Sequence, residues 1–466
     1  MPDTAPAYAP RMTAVAAPPP ARLLSRPVLA WTAWDWGSAS FNAVITTFVF
    51  TVYLTGDAFT GLQEGDPGFA AAKAGLSSGL GWGIAVAGVV VALLAPVLGK
   101  RADATGRRRV PMAIATGVVV ASMFGMFAIT PVPGAFWAGV ALVGLGTVAY
   151  EIGAVNYNSM LLSISTPRSI GRVSAFGWAA GYVGGIVLLV VLYATLIPGG
   201  PELLGDLRAD GLGIRLCAVV CAVWFLVFGL PVLLTVRDEP GRGAAPNGVL
   251  ATYRQLFRDI AELGRQDRNL LFFLIASAVF RDGLTGVFTF GAVIASTVFG
   301  FTFGQVLIFA VAANLVAGVS TLVSGRFDDR FGPKPVILVS LVGLVVTGTG
   351  VFLARDGGTA AFWVGGLLLC LFVGPAQTSS RSLLGRLSPP ERAGELFGLY
   401  ATTGRAASFI APAAFAVLTT VAQDQGFGIL GIVLVLAVGL VLMLPVRGAG
   451  SPAEGAGRAL EGSDHP

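Results

Sequence analysis

From residue 29 onward the chain is a succession of apolar blocks separated by short polar stretches. Twelve blocks run roughly over 29–55, 75–98, 110–130, 134–162, 173–197, 214–236, 270–299, 304–324, 335–354, 359–381, 395–421 and 426–446. Each holds about 20 residues or more, enough for a helix rising 1.5 Å per residue to cross about 30 Å of hydrocarbon. No block alternates apolar and polar positions with the period of two that a barrel strand needs, so the pattern predicts helices. Outside the blocks, 1–27 is rich in Pro and Ala and 447–466 in Gly, Ala and charge; both read as disordered tails. The first lacks the order of charge, short apolar run and cleavage site that marks a signal peptide. The longest interruption, 237–269, begins as a flexible linker. It then places Val249, Tyr253, Leu256, Phe257, Ile260 and Leu263 at helical spacing. That spacing predicts an amphipathic helix lying on the membrane face and serving as a spacer.

Composition agrees and narrows the function. The 466 residues are 55% hydrophobic and 12% charged, with a mean hydropathy of +0.78. A soluble domain carries about 25% charge. The net charge of +5 and pI of 9.3 could suggest nucleic acid. Threading the blocks back and forth through a bilayer gives another explanation. Of the 30 Lys and Arg, 24 then fall on the side of the N-terminus, 4 on the other side and 2 within spans. Positive charge marks the cytoplasmic side, so both termini are expected inside and no nucleic-acid partner is needed. The three lysines, Lys73, Lys100 and Lys334, precede no Ser or Thr, so no phosphate-cradling loop exists. The single histidine is His465, and Cys217, Cys221 and Cys370 lie in apolar runs. An intramembrane enzyme is therefore disfavoured, and no cofactor and no metal are expected.

Two echoes divide the chain. Gly99, Asp103 and Gly106, followed by Arg107, recur as Gly325, Asp329 and Gly332, followed by Lys334, at an offset of 226. The stretch from Ser165 recurs from Ser388 at an offset of 223, pairing Gly171 with Gly394, Gly181 with Gly404 and Tyr182 with Arg405. The expected domains are thus two pseudo-symmetric six-helix halves, 28–236 and 270–446, joined by the linker. Such repeats characterise secondary transporters whose halves rock about a central site. The Gly–Asp–Gly loops are expected to be tight cytoplasmic turns. Each Asp can accept from a helix N-terminus or a neighbouring Arg and so hold that side shut.

Charge inside the spans is scarce and costly, about 2.5–3.5 kcal/mol per residue at mid-bilayer. Asp35, Glu151, Arg281, Asp282 and Arg405 make up the set. At 1.5 Å per residue four spans bring charge to a similar depth, from the inner third to the midplane. That convergence suits a substrate or proton-coupling cavity, with Asn156, Tyr182 and Gln377 as polar neighbours and Trp34, Trp36 and Trp178 as candidate lining. Glu151 leads as proton carrier, because low dielectric makes a carboxylate costly to keep charged.

Longer strings carry a family likeness. WTAWDWGSASFNAVITTFVFTVYL (31–54), NYNSMLL with GRVSAFGWAAGYVGG (156–185), RDGLTGVFTFGAVIASTVFG (281–300) and GPAQTSSRSLLGRLSPPERAGELFGLY with GRAASF (374–409) span both halves. On these the chain resembles the major facilitator superfamily, and within it the "unknown major facilitator" branch related to the autophagy-linked vacuolar amino-acid effluxers. It departs from that pattern at Ser38 and Arg281, where Asn is usual, and at Leu162 and Ser163, where Pro and Asp are usual. The resemblance implies the major facilitator fold and alternating-access transport of a small solute, with amino acids as one class and efflux as one direction. Protons and the lipid bilayer are the other expected partners, in the cell membrane. One chain holds both halves, so a monomer suffices. The rival reading is a transport-inactive sensor or scaffold on the same fold.

Overall fold

The long apolar blocks become long helices, and the turn residues between them set where each stops. The structure, a computed structural model, describes residues 23–166, 168–197, 211–236, 238, 254, 258, 262, 264–265, 267–301, 303–389, 392–422 and 424–448. In chain order the helices are α1 (Arg26–Leu54), α2 (Phe69–Thr105), α3 (Arg109–Met126), α4 (Phe136–Ile164), α5 (Ile170–Thr195) and α6 (Leu212–Thr235). There follow α7 (Arg268–Thr297), α8 (Phe303–Phe331), α9 (Pro333–Leu353), α10 (Gly358–Leu387), α11 (Ala393–Ala407), α12 (Ile410–Ala422) and α13 (Phe427–Met443). No strand occurs among the described residues. The six apolar positions of the expected amphipathic helix, His465 and most of both tails lie outside them.

Among the described residues eleven segments are long and apolar enough to cross a membrane, and α13 is a shorter apolar helix of 17 residues. Large side chains on the bundle's outside, among them Trp137, Val339, Leu353 and Val441, are more than 60% exposed. In water that surface would be a liability; against acyl chains it costs nothing. This is a multi-pass membrane protein.

Two details differ from the sequence expectation. The Gly–Asp segments are not loops. α2 runs 37 residues, to Thr105, and stops only where Gly106 turns left-handed at φ +69°. At about 55 Å it overshoots the hydrocarbon, so Lys100, Arg101 and Asp103 ride on projecting helical turns. α8 likewise continues to Phe331 before Gly332 at φ +86°. The eleventh apolar block is not one helix either. It breaks between α11 and α12, just ahead of Pro412, whose ring and missing N–H disrupt the preceding turn. α1 keeps its length but relaxes into a π-helical stretch over Ser40–Val49.

The buried apolar residues form two separate cores. One draws on residues 28 to 236; the other on 270 to 446, with Val91, Ala95 and Val155 reaching in from the first. Between the two sets the main packing is α2 against α11 and α5 against α8. Both contacts run from the end of the bundle that carries the basic loops, called the basic end below, up to Ala92–Thr402 and Tyr182–Gly318.

Candidate functional site

The basic end is closed by the same arrangement made twice. α11 begins at Ala393, so the amides of Gly394 and Glu395 sit in its first turn with no partner inside the helix. Asp103, on the last turn of α2, takes both: Gly394 N–H donates to Oδ1 at 2.9 Å and Glu395 N–H to Oδ2 at 2.8 Å. α5 begins at Ile170, and Asp329 on the last turn of α8 takes the amides of Gly171 at 2.8 Å and Arg172 at 3.2 Å. A carboxylate at a helix N-terminus also meets the positive end of the helix dipole. Room for this approach comes from Gly. A Cβ on Gly394 would sit 2.9 Å from Asp103 Oδ1, and one on Gly99 would lie 2.1 Å from the carbonyl oxygen of Gly394.

Arginines complete each latch. Arg108 donates to Asp103 at 2.9 Å, and Arg172 Nε to Asp329 at 2.7 Å. Arg386 reaches Asp328 at 2.8 Å and Asp329 at 3.3 Å; Ser382 also donates to Asp328, which is 1% exposed. Arg392 pairs with Glu395 at 3.0 Å. Among the residues expected to gate, Arg107 is exposed and Lys334 donates to the carbonyl oxygen of Leu444 at 2.8 Å, away from both aspartates. The pairing roles fall instead to Arg108, Arg172 and Arg386. Periodicity could have nominated Arg108: it lies five residues past Asp103 across a Gly turn, where Arg107 points outward.

Above the latches Arg381 joins the two sets of helices. Sequence topology counted it with a loop; it sits inside α10, 5% exposed. Its Nε donates to Ser174 Oγ at 2.9 Å, Nη2 to the Ser174 carbonyl at 2.5 Å and Nη1 to Asn158 Oδ1 at 3.2 Å. Asp35 Oδ2 stands 3.6 Å from Nη1 and accepts from Tyr157 Oη at 2.7 Å. Tyr157 stacks on Trp31 and Trp34, both essentially unexposed. Trp34 is therefore core, not lining, and its indole N–H donates to Thr116. Asn156 is 1% exposed, with its Nδ2 bonded to the Ile152 carbonyl of its own helix. Tyr182 donates across to Gln377 at 3.2 Å.

Of the remaining charges, Glu151, Arg405 and Arg281 are more open, while Asp282 is 5% exposed. Glu151 on α4 pairs with Arg405 on α11, and their side chains keep 21% and 31% exposure. Arg281 on α7 stacks on the Tyr400 ring at 3.8 Å and donates to the Tyr400 carbonyl at 3.0 Å. Asp282 turns elsewhere: its Oδ2 accepts the Ala411 amide at 2.5 Å and so caps α12 below the break. Although adjacent in sequence, Arg281 and Asp282 face different partners. The hydrogen bonds at Asp103, Asp329, Arg381, Tyr182, Thr402 and Arg405 that link 28–236 with 270–446 reach from the basic end to the level of Tyr182, Thr402 and Arg405. No group of three or more His, Cys, Asp or Glu among them could hold a metal ion.

A closed basic end with accessible charge above it is a transporter arrangement, and comparison with known proteins agrees. The chain is similar to the proton:xylose symporter XylE, with a TM-score of 0.70, 16% identity, and coverage of 91% of this chain and 96% of that one. It is also similar to a bacterial homologue of the iron transporter ferroportin in an outward-facing state, at 0.65, 16%, 91% and 98%. These likenesses show the major facilitator fold. In sequence it is 24% identical to the uncharacterized MFS-type transporter YxiO of Bacillus subtilis (strain 168) over 422 residues, 89% of this chain and 93% of that protein. It is 27% identical to autophagy-related protein 22 of Cryptococcus neoformans over 328 residues, 64% of this chain. The chain spans about half the length of that fungal relative, 53%. YxiO is named as a transporter, not an enzyme. A family profile described as vacuole effluxer Atg22 like matches residues 165–451, and the chain belongs to that family of MFS-type transporters.

Proposed function

We propose that this protein is a secondary transporter of the cell membrane that moves a small solute by alternating access. Twelve spans, with α11 and α12 as one broken span, form halves 28–236 and 270–446 with both termini in the cytoplasm. The basic end is the cytoplasmic gate, shut in this conformer. The observation that carries the reading is the doubled latch. Asp103 and Asp329 each clamp the first turn of a helix from the opposite half, so one rocking motion releases both. Charge-assisted hydrogen bonds contribute about 1.5–3 kcal/mol each. Opening this end therefore has to be offset by closing the other around the solute.

Proton coupling runs through Glu151 or Asp282. Protonating Glu151 would loosen its ion pair with Arg405 across the halves; protonating Asp282 would loosen the cap on α12. Amino acids are the solute class the resemblance implies. The test is solute flux in proteoliposomes with and without a pH gradient. Glu151→Gln or Asp282→Asn should abolish acceleration by the gradient. Full acceleration in both variants would rule out proton coupling at these carboxylates, and absence of flux with any small solute would rule out transport itself.

A further inference from the structure

The charges above the gate are unequally satisfied, and the inequality points to a ligand. Three carboxylates enter the spans, and each has a partner: Glu151 has Arg405, Asp35 has Tyr157 and Arg381, and Asp282 has the Ala411 amide. Two of the three guanidiniums in the same region, Arg381 and Arg405, are likewise paired. Arg281 is the remaining one. Among the described residues no carboxylate lies within ion-pair distance of it. Of its five N–H donors one is used, toward the Tyr400 carbonyl at 3.0 Å.

The position of Arg281 is set rather than loose. Its guanidinium carbon lies over the Tyr400 ring, 3.8 Å from the centroid. Tyr400 is itself held by a 2.7 Å hydrogen bond between its hydroxyl and Ser380. The next turn of α11 presents Gly404, where a Cβ would stand 3.1 Å from Arg281 Nη1. No side chain projects there, and Arg281 remains partly exposed. On the same face of α7 the residue one turn on, Thr285, is exposed. A fixed, planar, partly exposed cation with four free donors inside a membrane span is expensive unless something anionic completes it.

We propose that Arg281 anchors the carboxylate of the transported solute. A carboxylate matches the guanidinium fork and brings one negative charge to one unpaired cation. A phosphate dianion would need a second free cation, and Arg381 and Arg405 are both engaged. This inference rests on the transporter reading and names the solute chemistry for it. The carboxylate can belong to a zwitterion or to a simple monoanion, and the test carries both.

The experiment uses the purified full chain. Phenylglyoxal modification of Arg281, read by peptide mass spectrometry, is measured with leucine, with lactate and with glucose. Leucine, lactate or both should protect Arg281 and glucose should not; the protecting one identifies the source. An unmodified Arg281 in the absence of solute would overturn the proposal, since a site closed to that reagent is closed to leucine. Equal modification under all three solutes would also overturn it. In a thermal-shift titration Arg281→Gln should weaken the protecting solute by about tenfold to a hundredfold, and Arg281→Lys should restore much of the loss. Unchanged binding by Arg281→Gln would refute the anchor. Flux of glucose with Arg281 unprotected sinks the anchor and keeps the transporter. Carboxylate binding without flux of any solute keeps the anchor and sinks the transporter.

Discussion

The basic end and the mid-membrane level of the molecule handle charge in opposite ways. At the basic end, carboxylates are saturated: Asp103 and Asp329 each hold two backbone amides and at least one arginine, with 6% and 8% side-chain exposure. At mid-membrane the Glu151–Arg405 pair is 21% and 31% exposed, and Arg281 has an aromatic ring and one carbonyl in place of a counter-ion. Such dense pairing makes a seal, because opening must break many bonds together. Under-satisfaction suits the solute site proposed above, because the missing partner can be supplied from outside. The contrast teaches that burial, more than the number of charges, separates gate from site.

The largest expected effect tests the seal. Replacing Asp103 and Asp329 together by Ala removes the acceptors of four inter-half amides. At about 1.5–3 kcal/mol per charge-assisted bond the closed state should lose at least about 100-fold in population. A cysteine at Thr378, which is 2% exposed and lies above the latches, should then react with a thiol reagent applied from the basic end. The native cysteines are buried and give little background. Unchanged reactivity would mean that the latches do not hold the seal.

A smaller effect is expected at the open pair. Arg405→Gln leaves Glu151 unpaired. Breaking a buried pair costs about 3–5 kcal/mol, and partial exposure here should reduce that to about 1–2 kcal/mol in thermal unfolding. The double variant Glu151→Gln with Arg405→Gln should cost less than the single one. A double variant that is worse than the sum would place the pair with the saturated network instead.

The smallest effect sharpens the boundary of the seal. Arg107→Gln should change stability by less than about 0.5 kcal/mol, because the side chain is exposed. Arg108→Gln, which removes the 2.9 Å bond to Asp103, should measurably raise accessibility at the basic end. Equal responses from both would show that loop charge rather than the specific pair holds that side closed.

Much of this was legible in the chain. The apolar blocks marked the spans, the repeated Gly–Asp pattern picked out Asp103 and Asp329, and the echo of the Ser165 stretch from Ser388 picked out Gly171 and Gly394. Other features were not legible, for local reasons. Hydropathy ended α2 near 98, because polar residues on a projecting helix look like a loop. The break ahead of Pro412 was signalled by that proline but hidden in an unbroken apolar run. The partners of Arg381 were not legible, because its polar nest is assembled from three other helices, α1, α4 and α5.

By itself the sequence determined that the chain spans membranes as helices, where its costly charges lie, and that one motif occurs twice. Those properties are local and additive, since transfer to hydrocarbon is summed residue by residue along a run. Which charge meets which partner was decided only by the tertiary structure. Asp103 and Gly394 are 291 residues apart, and Arg405 and Glu151 are 254 apart. Pairing depends on distance and burial, which exist only once the helices pack.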